Sequence, residues 1–282
     1  MEARSGIAEI VASGIRRVLA PNPSPYTSTG TQVHLIGERE LAIIDPGPDL
    51  PGHLNALLEA IGGRQVSAIL ITHNHRDHSP MSRPLAAATG ATIVGCAPLE
   101  LKDLGPGAEG FDADYRPDRV LADGETLEVD GRVLVALATP GHTSNHLCFA
   151  DEAAGVLFSG DHVMGWSTSV VIPPDGAMDD YVRSLQKLQG RRETIYYPGH
   201  GEPVPDPQRL LRGSIGHRLQ RDKQIARLVA EGRSSVVEIV EAGYPGLDVR
   251  LRRAAGATVW AHLIGLAKRG IVRQEGNAWT TV

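Results

Sequence analysis

The decisive stretch of this 282-residue sequence reads VSAILITHNHRDH and occupies residues 66–78. Its first half, residues 66–71, is apolar and rich in β-branched side chains, which predicts a strand buried on both faces. Its second half places His73, His75, Asp77 and His78 directly after that strand. Burying three imidazoles and a carboxylate costs several kcal/mol unless something compensates them, and a multivalent cation is the simplest compensation. We therefore interpret residues 72–78 as part of a metal site.

Three further apolar segments end in short turns that carry His or Asp, namely His142, Asp161 and His200. Ligands on turns at strand ends can converge at one edge of a sheet while the strands hold them rigidly. The candidate ligands number seven: His73, His75, Asp77, His78, His142, Asp161 and His200. A single tetrahedral zinc needs four ligands, and a catalytic zinc keeps one position for water. The count therefore predicts two metal ions that share a bridging ligand.

Strands and helices alternate along the first two thirds of the chain, which is typical of mixed α and β folds. Apolar segments at 10–20 and 32–44 predict strands, and helices are expected at about 53–61 and 82–89. Two hairpins are expected after residue 124, the first around Asp130 and Gly131. Residues 98–119 are interrupted by Gly and Pro, and we expect either a solvated connection or a loop that faces the substrate.

The composition is that of a globular protein and argues against a disulfide-rich protein and a membrane-spanning protein. The chain is 41% hydrophobic and 22% charged, as in ordinary globular proteins. Its two cysteines, Cys96 and Cys148, cannot form a disulfide framework and favour a reducing, cytoplasmic location. No apolar run reaches 18 residues, so we expect no membrane association.

The end of the chain predicts a separate module. Residues 217–282 contain 11 Lys and Arg against 6 Asp and Glu, net +5, which leaves 17 and 27, net −10, for residues 1–216. Helices are expected at 217–230, from Ser234 or Ser235 to Ala242, and from Asp248 to Lys268, followed by a hairpin. Three helices and a hairpin predict a winged helix over residues 213–282, after a catalytic domain over residues 1–212.

The role of this module is left open. On its third predicted helix, Arg250 and Arg253 share one face while Arg252 points away, so no continuous basic stripe forms. Basic charge without base-reading chemistry is weak support for nucleic-acid recognition. The alternatives are contact with nucleic acid, packing, or formation of a homodimer.

The ligand pattern resembles that of the metallo-β-lactamase superfamily, over about residues 10–205. The resemblance implies an α+β fold, an αββα sandwich with its metal site at one edge. It further implies the following assignment: His73, His75 and His142 hold the first metal, Asp77, His78 and His200 hold the second, and Asp161 bridges them. Asp77 would also handle a proton in catalysis, and Asp45 would support the ligand histidines. Imidazole-rich ligation favours two zinc ions, with manganese and iron as alternatives.

A second set of residues is similar to one branch of the superfamily. The stretch GDHVMGWST at residues 160–168, followed by Pro173, Pro174 and Gly176, resembles the β-lactamase-like protein 2 branch. That branch has a C-terminal winged helix and includes metal-dependent endoribonucleases. The resemblance implies a dinuclear hydrolase acting on phosphodiester bonds of single-stranded RNA. The alternatives are a thioester hydrolase of the glyoxalase II kind and a non-enzymatic nucleic-acid-binding protein with a vestigial metal site.

Six histidines lack such a context and are expected at the surface or hydrogen-bonded in the core: His34, His53, His146, His162, His217 and His262. His162 directly follows Asp161 and is kept as a secondary candidate for contact with the site or the substrate. At residues 32–34 the sequence Gln-Val-His departs from the Asn-Thr-Tyr type of run that is usual in the branch.

Overall fold

A computed structural model of the chain describes residues 4–99 and 110–282. Residues 100–109 of the connection at 98–119, including its Gly105-Pro106-Gly107 break, lie outside the described residues. Contacts between Cα atoms divide the chain into two compact units. The first unit holds the chain up to residue 139 together with residues 145–168 and 191–207, and the second holds residues 140–144, 169–190 and 208–282.

The first unit contains a seven-stranded sheet whose strands lie side by side in chain order. The strands are β1 (Ala8–Ala12), β2 (Ile15–Leu19), β3 (Gln32–Ile36), β4 (Glu40–Ile44), β5 (Gln65–Ile71), β6 (Thr92–Gly95) and β7 (Arg119–Val120). Neighbours from β1 to β4 are antiparallel, and neighbours from β4 to β7 are parallel. Parallel neighbours need crossover connections, which α1 (His53–Ile61) and α2 (Ser82–Thr89) supply around β5.

A second sheet of the same unit has five strands in the order β12-β11-β10-β9-β8. These are β8 (Thr126–Val129), β9 (Arg132–Ala138), β10 (Leu147–Asp151), β11 (Val156–Gly160) and β12 (Ile195–Pro198). The two predicted hairpins are present, β8 with β9 and β10 with β11. Apolar side chains from both sheets, such as Ile43, Leu70, Leu134 and Phe149, form one buried core. The unit is therefore a sandwich of two sheets.

The segments at 10–20 and 32–44 differ from simple strands, because each is a hairpin of two strands. The turns contain Gly14 and Gly37, whose φ angles of 65° and 109° lie where glycine is favoured. A uniformly apolar segment does not reveal such a reversal, since both arms have the same composition. The strand at 66–71 is confirmed, and Ile69, Leu70 and Ile71 are fully buried within it.

The second unit contains four helices and a hairpin. They are α3 (Met178–Leu188), α4 (Pro207–Ala230), α5 (Val236–Gly243), α6 (Arg252–Lys268), β13 (Val272–Glu275) and β14 (Ala278–Thr281). Its apolar core includes Ile225, Ile239, Leu263 and Trp279. Ser235 caps α5 in a reciprocal capping box with Glu238.

Helix α4 begins at Pro207, ten residues before the predicted start at His217, and the predicted domain boundary at 212/213 falls inside it. Pro207 suits the first helical position because its missing N–H would have no partner there. Asp248 caps a 3₁₀ turn, Val249–Leu251, and α6 follows at Arg252. Among the helices of residues 4–99 and 110–282, none combines the length and apolar character required to cross a membrane.

Candidate metal centre

Four strand ends of the first unit deliver polar side chains to one place. Asp45 follows β4, residues 73–78 follow β5, Asp161 follows β11, and His200 follows β12. His73, His78 and His200 are completely buried, and Asp161 is 7% exposed. The sequence therefore concentrates titratable groups where the sheets exclude water.

One cluster contains Asp77, His78, Asp161 and His200. The Nε2 atoms of His78 and His200 lie 3.3 Å apart, and each lies 3.4 Å from Oδ1 of Asp161. Oδ2 of Asp77 lies 3.2 Å from Nε2 of His200 and 3.8 Å from Nε2 of His78. Two imidazole nitrogens and two carboxylate oxygens thus converge on one point.

Hydrogen bonds fix which nitrogen of each imidazole faces this cluster. Nδ1 of His78 donates to the carboxylate of Asp45 at 2.9 Å, and Nδ1 of His200 donates to the carbonyl oxygen of Gly30 at 3.2 Å. Because Nδ1 carries a proton in both rings, the neutral form of each imidazole has its lone pair on Nε2, which faces the cluster. A metal ligand requires this tautomer.

A neighbouring pair consists of His73 and His75. Nε2 of His73 lies 3.0 Å from Nδ1 of His75. Thr72 donates its hydroxyl proton to Asp45 at 2.6 Å, so its oxygen accepts from Nδ1 of His73 at 3.0 Å. Nε2 of His73 is therefore the lone-pair nitrogen, and a proton or a cation is needed between the two rings.

Asp45 connects these two groups of candidate ligands. Its carboxylate accepts the backbone N–H of Thr72 at 2.8 Å, the Thr72 hydroxyl proton and the Nδ1 proton of His78. Its φ angle is 48°, a conformation that few side chains other than Asn and Asp adopt readily. One buried carboxylate thus orients both His73 and His78, in keeping with the supporting role that the family resemblance implies for this residue.

The electrostatics of the metal-free cluster are those of strongly interacting opposite charges. Burial acts to raise the pKa of Asp77, but His78 and His200 outweigh it and hold the pKa of that carboxyl below its usual range. Burial acts to lower the pKa of His200, but Asp161 and Asp77 outweigh it and raise the pKa to about 9. The carboxylates therefore favour positive charge in this place.

Two residues that position Asp161 were not singled out from the sequence. The backbone N–H of Asp161 donates to Nε2 of His146 at 3.2 Å, and Nδ1 of His146 donates to the hydroxyl of Thr139 at 2.9 Å. A Cβ atom on Gly199 would lie 2.8 Å from Oδ1 of Asp161, so only glycine leaves room there. The turn sequence Pro-Gly-His at 198–200 was a signal for this glycine.

Four of the six remaining histidines lie as expected, because His53, His146 and His262 are buried and hydrogen-bonded and His217 is exposed. His34 is buried and packs against Phe158. His162 is completely buried, and its ring centre lies 5.9 Å from that of His146. His142 belongs to the second unit, where its Nδ1 donates to the carbonyl oxygen of Val170 at 2.6 Å.

Comparison with known families identifies the fold. Residues 27–200 match the family model described as the metallo-beta-lactamase superfamily. The chain belongs to the metallo-beta-lactamase superfamily. Residues 235–279 match the model of the beta-lactamase associated winged helix domain, which confirms the predicted winged helix. Members of the superfamily are metal-dependent hydrolases, and the chain is an enzyme of this kind.

Two relatives and a solved structure extend the comparison over nearly the whole chain. A beta-lactamase-like protein 2 homolog of Caenorhabditis elegans is 29% identical over 94% of this chain and 88% of its own length. An atrochrysone carboxyl ACP thioesterase of Aspergillus fumigatus is 28% identical over 83% of this chain and 74% of its own length. The crystal structure of a metallo-beta-lactamase family protein from Thermus thermophilus superimposes with a TM-score of 0.80, at 25% identity, over 97% of this chain and 100% of that one.

Proposed function

We propose that this enzyme is a dinuclear metal-dependent phosphodiesterase that cleaves single-stranded RNA. The proposed ligands of the first metal are His73, His75 and His142, and those of the second are Asp77, His78 and His200, with Asp161 shared. Zinc is the proposed metal because imidazoles predominate among the ligands, while manganese and iron suit the same atoms.

The distances in the Asp77 cluster support the metal assignment more than any other observation. Ligand atoms about 2.0–2.1 Å from a tetrahedral zinc are separated from one another by about 3.3–3.4 Å. The five measured separations run from 3.2 to 3.8 Å, and three of them are 3.3 or 3.4 Å. These separations support a metal ion at the proposed second site.

Side chains and backbone groups of the protein orient the proposed metal ligands and would accept a proton in the reaction. Two divalent ions bound here would act as Lewis acids and make a nucleophilic water available at neutral pH. Asp45 and the Gly30 carbonyl hold the Nδ1 protons of His78 and His200, which keeps both Nε2 atoms turned to the cluster. Within the cluster, the side chain of Asp77 is more exposed than that of Asp161, at 27% against 9%, which supports Asp77 as the acceptor of a proton from the attacking water.

A basic cavity in the second unit supports RNA as the substrate. It measures about 600 Å³, and its lining consists of His217, Gln220, Arg221, Lys223, Gln224, Arg227 and Gly243. The Arg221 guanidinium lies 4.1 Å from the ring centre of Tyr244 and donates to the Gly243 carbonyl oxygen at 3.2 Å. Three cationic side chains around one cavity suit the phosphates of a single strand. The resemblance to a branch that includes endoribonucleases supports the same substrate.

Thioester hydrolysis is the second candidate, because several fungal relatives are named acyl-carrier-protein thioesterases. The same metals and the same proton acceptor would serve attack on an acyl carbon. Such a substrate requires no basic cavity in the second unit. The charge of that cavity is therefore what distinguishes the two candidates on this chain.

Incubating the metal-loaded enzyme with labelled single-stranded RNA and with a panel of acyl thioesters, with and without a chelator, tests the proposal. We expect RNA cleavage that the chelator abolishes. Chelator-sensitive thioester hydrolysis with intact RNA would overturn the proposal and support the second candidate. RNA binding without hydrolysis of either substrate would indicate a non-enzymatic protein.

The cavity is tested by Lys223→Glu, which reverses a charge at its edge. We expect KM for RNA to rise several-fold and its salt dependence to weaken, because one phosphate contact is lost. Hydrolysis of bis(p-nitrophenyl) phosphate, which has a single phosphodiester and no further phosphate for the cavity to bind, should not change. Arg212→Glu on the same helix is the matched control, since Arg212 is exposed and does not line the cavity.

A further inference from the structure

We propose that Arg218 of helix α4 is a positioning residue that holds His142 in place for metal binding. The inference rests on the ligand role proposed above for His142, and every contact that carries it lies within the second unit. It gives helix α4 a part in positioning a proposed metal ligand, in addition to any contact with substrate.

The loop that carries His142, residues 140–144, is joined to the segment around helix α3. The Ser184 hydroxyl donates to the carbonyl oxygen of Pro140 at 2.7 Å, and the N–H of Ala177 donates to that of Gly141 at 2.9 Å. A Cβ atom on Gly141 would lie 2.3 Å from Cα of Tyr181, so the loop and the helix are in direct backbone contact. The position of the loop is therefore set by α3 and by the residues that precede it.

Two consecutive carbonyl groups connect helix α4 to the His142 ring through hydrogen bonds. The carbonyl oxygen of Val170 accepts the Nδ1 proton of His142 at 2.6 Å. The carbonyl oxygen of Ser169, one residue earlier, accepts from the guanidinium of Arg218. Because the two carbonyls belong to adjacent residues, Arg218 restrains the acceptor that selects the tautomer of His142. That tautomer leaves the lone pair on Nε2, as metal binding requires.

The surroundings of Arg218 differ from those of an ordinary stabilising arginine. The residue is 3% exposed, and its guanidinium lies 5.1 Å from the ring centre of Tyr181. Within residues 4–99 and 110–282 no ion pair involves Arg218. Burying a cation without a carboxylate is costly, so an apolar residue of similar length should sustain the fold equally well. Such an apolar residue could not donate a hydrogen bond to the carbonyl oxygen of Ser169.

A second connection holds α3 from another helix. Arg269, just after α6, pairs with Asp179 in the first turn of α3 and with Asp222 of α4 at 2.7 Å. A Cβ atom on Gly265 of α6 would lie 2.8 Å from Oδ1 of Asp179, so the two helices are in close contact. Helix α6 therefore holds α3 independently of Arg218. Loss of the Arg218 bond alone should loosen His142 without releasing α3.

The test compares metal binding by the full-length wild type, Arg218→Met and the matched control Arg212→Met. Arg212 lies on the same helix but is exposed. Titration calorimetry with zinc follows the affinity of each ion, and the visible absorption of the cobalt-loaded protein reports its coordination. Thermal unfolding of the metal-free proteins shows whether each variant is folded.

We expect Arg218→Met to lower the affinity for one of the two metal ions by about tenfold or more, as loss of an outer hydrogen-bonding partner does. The other ion, whose ligands Asp77, His78 and His200 lie in the first unit, should bind as in the wild type, and the cobalt spectrum should change. Two wild-type affinities with an unchanged spectrum in folded Arg218→Met would overturn the inference. Fewer than two ions in the wild type would instead refute the proposed ligand set.

If Arg218→Met does not fold, Arg218→Lys carries the test, because it keeps the buried charge but lacks the planar guanidinium. The same selective loss of one ion is expected. Binding of both ions as in the wild type would again overturn the inference. Arg212→Met should match the wild type throughout.

Discussion

At the scale of single residues, the candidate metal centre depends on side chains that orient its candidate ligands. Asp45 receives three hydrogen bonds and so fixes Thr72, and through it His73, as well as His78. His146 and the Thr139 hydroxyl do the same for the backbone at Asp161. Ligand geometry in this chain is thus set by neutral hydrogen-bonding groups and one carboxylate behind the ligands.

Replacing Asp45 by Asn should weaken metal binding about 10- to 100-fold, as measured by titration calorimetry. Asn tolerates the φ angle of 48°, so the backbone is preserved. Its amide replaces one of the two acceptor oxygens by an NH2 group, so it cannot accept all three hydrogen bonds: the NH2 group would face either the backbone N–H of Thr72 or the two donors on Oδ2, the Thr72 hydroxyl and Nδ1 of His78. Asp130→Asn is the matched control, because Asp130 has a φ of 49° in a hairpin turn. Wild-type affinity in Asp45→Asn would contradict the role given to Asp45.

His34 is expected to make the protein less stable in mild acid. Burial, reinforced by Arg17, lowers the pKa of His34 to about 3. The unfolded chain takes up this proton as the pH falls below about 6.5, whereas the folded chain does not until about pH 3. The unfolded state is therefore increasingly favoured across that window. At pH 5 the linked loss of unfolding free energy is about 2 kcal/mol.

His34→Phe tests this sign, because a phenyl ring suits the contacts with Phe158 and Tyr197. Urea denaturation at pH 8 and at pH 5 gives the two unfolding free energies of each protein. The decrease between the two pH values should be smaller in the variant by about 2 kcal/mol. Equal decreases in both proteins would show that His34 is not the cause of the loss of stability in mild acid.

At the scale of elements, candidate ligands directly follow the ends of strands β5, β11 and β12, and hydrogen bonds restrain the turns that carry them. The turn after β12 is held from both sides, because the N–H of Gly199 donates to Gly160 at 2.9 Å and its carbonyl oxygen accepts from Gln32 at 2.7 Å. His200 follows directly. The backbones of β3, β11 and β12 thus set the position of the candidate ligand His200.

Gly199→Ala should remove the ion held by Asp77, His78 and His200. The new Cβ atom would lie 2.7 Å from Cε1 of His78, and the bonded turn cannot move away. Metal analysis of the purified variant should find one ion fewer than in the wild type.

Gly213→Ala in α4 is the control, because a Cβ atom there meets nothing within 4 Å. Replacing this helical glycine should leave the metal content unchanged and stabilise the protein by up to about 1 kcal/mol. A full complement of metal in Gly199→Ala would show that the turn is more adaptable than its contacts suggest.

At the scale of the whole molecule, local features of the sequence predicted most of the fold and site. Strands are recognisable from apolar runs, and the His and Asp turns that end them are adjacent in sequence to those runs. The family model over residues 27–200 and the winged-helix model over residues 235–279 confirm the architecture. Such features are predictable because each depends on neighbouring residues.

Features that depend on distant contacts were not predicted. Helix α4 continues through Gly213 and Gly216, which weaken a helix prediction, since packing overrides local propensity. The bond from Asp161 to His146 and the bond from Arg218 to Ser169 join residues far apart in the chain. No local pattern signals either one, because hydrogen-bond partners are fixed only when the elements pack.

The most direct test of this account is the number of metal ions per chain in purified protein equilibrated with zinc and freed of excess metal. The ligand set His73, His75, His142, Asp161 and Asp77, His78, His200 predicts two ions per chain. Asp161→Ala should reduce this number, because both sites share that carboxylate. A wild-type content of one ion or none would contradict the dinuclear centre on which the proposed hydrolysis depends.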